Sequence, residues 1–150
     1  MKLGANVTLW HKHLSNIGDC SIGDNSVVHS HVWIGDDVII GNSVRIQAFS
    51  FIPVGVTIQD GVFIGPRVTF TNDHKPPSYG KEWRDTLVKK GASIGAGAVI
   101  VAGVTIGENA MVGAGAVVTK NIPDGETWVG NPARPLIKDE LPKDQFMMTL

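Results

Sequence analysis

Residues 32–46 read Val-Trp-Ile-Gly-Asp-Asp-Val-Ile-Ile-Gly-Asn-Ser-Val-Arg-Ile. Three times a valine is followed two positions later by an isoleucine, and the unit returns every six residues. Extending that step in both directions gives Ile22, Val28, Ile34, Ile40, Ile46, Ile52, Ile58, Ile64 and Phe70. The series restarts as Val88, Ile94, Ile100, Ile106, Val112 and Val118. All fifteen slots are apolar. Two positions before the slots stand small or β-branched residues, from Cys20 and Ser26 to Val68, and again from Ala92 to Ala116. A helix repeats its apolar stripe near 3.6 residues and a lone strand near two, so neither explains a period of six.

Two inward positions per six residues suit a short strand followed by a turn. Three such units close a triangular coil of eighteen residues, so each residue lies about 4.8 Å from its counterpart one coil later. Like then stacks on like, and isoleucine ladders fill the interior. Each hexad buries too little to stand alone, so stability comes from stacked neighbours. The expectation is an all-β, parallel β-helix.

The pattern also reaches Leu3 and Leu9, but the step from Leu9 to Ile22 is thirteen, which predicts one extra residue near Ser15-Asn16. Slots 76 and 82 hold Pro and Glu, so residues 76–87 are expected to leave the barrel as an excursion loop. After Lys120 the repeat ends, and Trp128 to Pro135 reads as a turn leaving the barrel. About six coils result, with a domain over 1–135 and a short tail over 136–150 that has the pattern of a short helix.

Composition narrows the function. A net charge of −1 without a basic face argues against a nucleic-acid partner. No stretch has eighteen continuous apolar residues, so no membrane span is expected. The repeat begins almost at Met1, leaving no room for a signal peptide. The lone Cys20 falls in an inward slot, consistent with a cytoplasmic protein.

Tandem [LIV]-G-x-x-[small]-x hexads resemble the left-handed β-helix acyltransferases. The blocks Gly65-Pro66-Arg67-Val68-Thr69-Phe70-Thr71-Asn72-Asp73, Val88-Lys89-Lys90-Gly91-Ala92-Ser93-Ile94-Gly95-Ala96 and Val129-Gly130-Asn131-Pro132-Ala133-Arg134 are similar to those of enzymes that N-acetylate nucleotide-linked 3-amino sugars. The resemblance implies acetyl-CoA as co-substrate, no metal, a nucleotide-amino sugar as acceptor, and a homotrimer with sites between subunits. The start, Trp10-His11-Lys12-His13, departs from the usual first coils of that group.

The chemistry is attack of a neutral amine on a thioester, so the amine must be oriented and lose a proton. Asn72, Asp73 and His74 stand where the barrel opens into the loop. Asn72 and Asp73 are placed to orient the amine, and His74 is the candidate base because imidazole titrates near neutrality; the plainer alternative is ordinary turn residues. His29, His31, Gln47 and Arg67 form outward columns, with Phe49 between His31 and Arg67, suited either to the acceptor or to a subunit interface. For the coenzyme, Ser93 and Gly95 lie in the shared block. Ala96, Ala102 and Ala114 are small outward residues that would let a pantetheine arm lie flat, and Lys120 and Arg134 could meet its phosphates. The rival readings are an O-acetyltransferase, a γ-type carbonic anhydrase with zinc on His29, His31 and His74, and a structural β-helix.

Overall fold

The computed structural model describes residues 1–137. It is a parallel β-helix of about seven turns with three faces. Face A stacks Lys2–Leu3, Ser21–Ile22, Ile39–Ile40, Val56–Ile58, Thr86–Val88 and Thr105–Ile106. Face B stacks Thr8–Leu9, Val27–Val28, Arg45–Ile46, Phe63–Ile64, Ser93–Ile94, Met111–Val112 and Thr127–Val129, closed by Arg134–Pro135. Face C stacks Asn16–Ile17, Trp33–Ile34, Phe51–Ile52, Thr69–Phe70, Val99–Ile100 and Val117–Val118.

The register is that of the repeat: Ile22 pairs with Ile40, Val28 with Ile46, Ile34 with Ile52. All fifteen slots are buried, none more than 2% exposed, as are the small residues two before them. Full burial of a Val or Ile stabilises by about 1.5–3 kcal/mol, so the ladders are the main source of stability. The interior serines are satisfied: the Ser26 hydroxyl donates to the Gly41 carbonyl and accepts from the Val44 N–H, and Ser50 donates to the Gly65 carbonyl.

Three irregularities differ from the sequence reading. The thirteen-residue step is two changes rather than one extra residue. Leu9 pairs with Val28 and Ile17 with Ile34, so the first B–C corner gains two residues, including a 3-10 turn over Lys12–Leu14. The following corner loses one. The excursion is also shifted. Val56–Ile58 pairs with Thr86–Val88, and Thr86 is buried. Thr86 and Leu87 therefore belong to the barrel, and the loop leaves and returns across a bridge between Asp73 and Trp83. Its twelve extra residues are two hexads' worth, which is why the phase survived and hid the boundary. Finally, the barrel continues past Lys120. Two residues are dropped after Val118, and then Ile122 bridges Ile106 and Trp128 pairs with Val112, both buried. The supposed exit turn folds back: Val129 pairs antiparallel with Arg134. Leu136 and Ile137 are not helical; the rest of the expected tail helix lies outside the described residues.

Candidate active site

The corners are where function can sit, because the faces are committed to stacking. Along the A–B and B–C corners one residue per turn takes a left-handed backbone, and the C–A corner does so in three turns. The A–B corner fills that position with Asn6, Asn25, Ser43, Gly61, Gly91, Asn109 and Gly125. The C–A corner uses Asp37, Gly55 and Gly103. The B–C corner uses His11, His31, Phe49 and Arg67, and only then Gly97 and Gly115. Left-handed geometry costs a residue with a Cβ about 1–2 kcal/mol, least for Asn and Asp, whose side chains bond locally.

The excursion loop stands on the C–A corner. Arg84 N–H donates to the Asn72 carbonyl at 2.8 Å and His74 N–H to that of Glu82 at 3.1 Å, making a short hairpin stem. Its root is tied to the next turn by Ala102 N–H to Thr71 Oγ1 and Gly103 N–H to Thr86 Oγ1. Asp73 is the staple. Its carboxylate accepts from Lys75 N–H at 3.2 Å and Ser78 N–H at 2.8 Å. Desolvation pushes its pKa up, but hydrogen bonds from Ser78, Lys75 and Trp83 outweigh it, so the net shift is downward. The Asn72 amide donates to the Val54 carbonyl at 3.2 Å, which leaves its side-chain oxygen to accept. His74 is exposed, and among the described residues no hydrogen bond involves its imidazole.

A groove of about 390 Å³ lies elsewhere, along face B and the B–C corner. Phe63, Ser93 and Met111 form one wall, and Pro66, Gly95, Ala96, Gly113 and Ala114 the other. That size falls within the small-molecule range of about 300–1,000 Å³. The glycines are required: a Cβ on Gly95 would stand 2.6 Å from the Ala114 nitrogen. Gly97 and Gly115 beside it have open space above them. Arg134 lies past the end of the groove, two strands beyond Met111 on the same sheet, with Nη1 donating to the Ala133 carbonyl.

The predicted site residues thus fall into three places. Ser93, Gly95, Ala96 and Ala114 share the groove, with Arg134 beyond it. His29, His31, Gln47 and Arg67 lie along the B–C corner in turns two to four. Asn72, Asp73 and His74 sit on the C–A corner with Lys120. Ala102 is not an outward residue: it is 4% exposed and packed at the loop root, because the C–A corner turns it inward. Phe63, Pro66 and Met111 were missed. Their signal was available, since Phe63 and Met111 each precede an inward slot on the face that carries Ser93. Phe49 stands in the column assigned to the acceptor or to a subunit interface, and its ring stacks on His31 with centroids 4.9 Å apart and planes at 21°. His29 and His31 are a corner away from His74, so one chain does not gather the zinc triad. Among the described residues no group of three His, Cys, Asp or Glu side chains could hold a metal ion, and no helix is long and apolar enough to cross a membrane.

Comparison with known proteins agrees with this architecture. Residues 85–120 match the bacterial transferase hexapeptide family (six repeats), and residues 17–48 the hexapeptide repeat of succinyl-transferase. The chain thus carries hexapeptide repeats and is similar to acyltransferases. It is 50% identical over 59 residues to a dTDP-3-amino-3,6-dideoxy-alpha-D-galactopyranose 3-N-acetyltransferase of Aneurinibacillus thermoaerophilus, covering 39% of this chain and 29% of that protein. It is 31% identical over 119 residues to a UDP-3-O-acylglucosamine N-acyltransferase of a Caulobacter species, covering 79% and 26%. The chain therefore spans less than a third of the length of either curated relative. Among solved structures, a mutant of AntD, an N-acyltransferase from Bacillus cereus, in complex with dTDP-4-amino-4,6-dideoxyglucose and coenzyme A, superimposes with a TM-score of 0.78. The identity is 25%, over 99% of this chain and 91% of that one.

Proposed function

We propose that this chain transfers the acetyl group of acetyl-CoA to the amino group of a nucleotide-linked amino sugar. The carrying observation is the groove: floored by glycine and alanine, lined by Phe63 and Met111 along one wall, with Arg134 two strands beyond Met111 on the same sheet. That shape suits a pantetheine arm with its phosphates towards Arg134. The relatives' names supply the reaction class, and the three sugar N-acyltransferases among them support the acceptor class.

The groove and the loop stand on different corners of one chain, with face C between them. A closed ring of three copies solves this by setting one subunit's loop corner against its neighbour's groove. In that arrangement Asn72 accepts a hydrogen bond from the acceptor amine through its free side-chain oxygen and aims the lone pair at the thioester carbon. Asp73 holds the loop that carries Asn72. The His74 imidazole takes the proton released as the new C–N bond forms and returns it to the sulfur as the C–S bond breaks, so the coenzyme leaves as a thiol. Holding the reactants in line accounts for the main acceleration, up to about 7–11 kcal/mol. Lys120, on the loop corner, joins the coenzyme phosphates from the neighbouring subunit. The reaction takes place in the cytoplasm, and its product serves lipopolysaccharide or other surface-glycan biosynthesis.

Thiol release from acetyl-CoA against UDP-, dTDP- and GDP-linked amino sugars tests the reading. Cys20 gives no background, because it is 3% exposed and burial pushes its thiol pKa up. Release is expected with at least one amino sugar. Release only with hydroxyl acceptors would move the assignment to O-acetylation. Asn72→Ala and His74→Ala, made separately, test the roles, and wild-type turnover in both would remove them.

A further inference from the structure

The B–C corner departs from the other two. The A–B corner takes a left-handed residue in every turn and meets that need with Asn, Ser and Gly. Turns five and six of the B–C corner meet it with Gly97 and Gly115. Turns two to four hold His31, Phe49 and Arg67 in the same conformation, at φ values of 59°, 65° and 58°. The fold does not ask for these side chains. They are not packed into the core, since Phe49 is 57% exposed and Arg67 is also exposed. An unfavourable backbone kept under bulky, outward side chains, two of them stacked, is a mark of function.

We infer that this corner seats the nucleoside diphosphate of the acceptor. The base stacks with Phe49 and His31, Arg67 holds the diphosphate, and the amino sugar extends along the corner over Gly97. The assignment rests on the transferase reading and fixes how the acceptor lies. Three observations point the same way. The His31–Phe49 pair already forms an aromatic stack that a third ring can join. Arg67 stands one turn on, its backbone about 4.8 Å further, and its planar guanidinium fork suits a diphosphate. Gly97 is one turn further still, beside Ala96 of the groove, with open space where a side chain would be. From Phe49 to Gly97 is two turns, about 10 Å, a span that an extended sugar diphosphate covers. Base, diphosphate and sugar thus follow the order aromatic, cationic and vacant along one edge.

The strain makes a separating experiment possible. Phe49→Gly and Arg67→Gly remove unfavourable backbone while removing the proposed contacts. Ser43→Gly relieves the same conformation on the A–B corner and is the control. Titration calorimetry with UDP, dTDP and GDP, and separately with acetyl-CoA, is compared with thermal melting. Phe49→Gly is expected to melt no lower than wild type, gaining about 2–4 °C. It should lose about tenfold or more in affinity for the nucleoside diphosphate and keep its acetyl-CoA affinity. With inorganic pyrophosphate as the probe, only Arg67→Gly should weaken binding. Ser43→Gly should bind every ligand as wild type does. If nucleoside diphosphates bind wild type and both corner variants equally, or do not bind wild type at all, the inference is overturned. Failure of the transferase reading would appear separately, as absent acetyl-CoA binding and thiol release.

Discussion

The A–B and B–C corners turn the chain through the same angle with the same left-handed residue, yet they are built for different ends. Along the A–B corner the side chains face back into the scaffold. Asn42 Oδ1 accepts from Asp24 N–H, and Asp60 Oδ1 from Asn42 N–H, each at 2.7 Å, so successive turns are laced together. Along the B–C corner Ser50 Oγ donates to the Gly65 carbonyl between successive turns, but among the described residues the left-handed His31, Phe49 and Arg67 make no side-chain hydrogen bond to backbone, and their side chains face solvent. The difference teaches that in a repeat fold a corner reveals its purpose by what it does with an unfavourable backbone: neutralise it locally, or carry it under an exposed ring or cation.

Substitutions can break or sharpen this contrast. The largest loss of stability is expected from Gly23→Ala, whose added Cβ would stand 2.6 Å from the Gly41 carbonyl oxygen. Backbone cannot yield as a side chain can, so we expect a cost of about 3 kcal/mol in denaturant unfolding. Gly115→Ala meets open space and should cost only the left-handed preference, about 1 kcal/mol. If the two cost the same, close backbone approach does not distinguish the glycine that follows an inward slot from the left-handed glycine two residues further on. Asn72→Ala should lower kcat about 100-fold with little change in the melting temperature, which would place it in the chemistry rather than the scaffold. Asp60→Ala removes the acceptor of Asn42 N–H and should cost about 1 kcal/mol without altering turnover.

The smallest effect concerns Asp73. Its pKa is lowered in the fold, so its contribution to loop order is complete above the ordinary carboxylate value of 3.8 and is lost as pH falls through the lowered one. The Ser78 amide resonance should titrate with a midpoint below 3.8, and Asp73→Asn should abolish that titration. A midpoint above 3.8 would show that the staple is not formed.

The fold was legible because one physical demand, an apolar residue facing the axis, recurs every six residues with few exceptions. Where the demand lapsed, legibility lapsed too. The two-for-one exchange between Leu9 and Ile22 leaves a net shift of one, and a count of slots sees only the net. Trp128 was misread because two residues are dropped before Ile122, so the strand falls out of phase although the barrel continues. The candidate site was legible in pieces. The blocks containing Ser93 to Ala96 and Asn72 to His74 were visible as departures or shared stretches, but not that they occupy different corners. Phe49 lacked a signal because a left-handed φ leaves no mark on an aromatic residue; only the backbone reveals it.

The last strand of face B has one more consequence. Arg134–Pro135 runs against the direction of every strand beneath it, and Pro135 offers no N–H. A solenoid whose final sheet edge kept the parallel register would present a ready template for the first turn of another molecule, and such stacking repeats without limit into a fibre. Among the described residues, that reversed strand leaves face B without a parallel edge at this end.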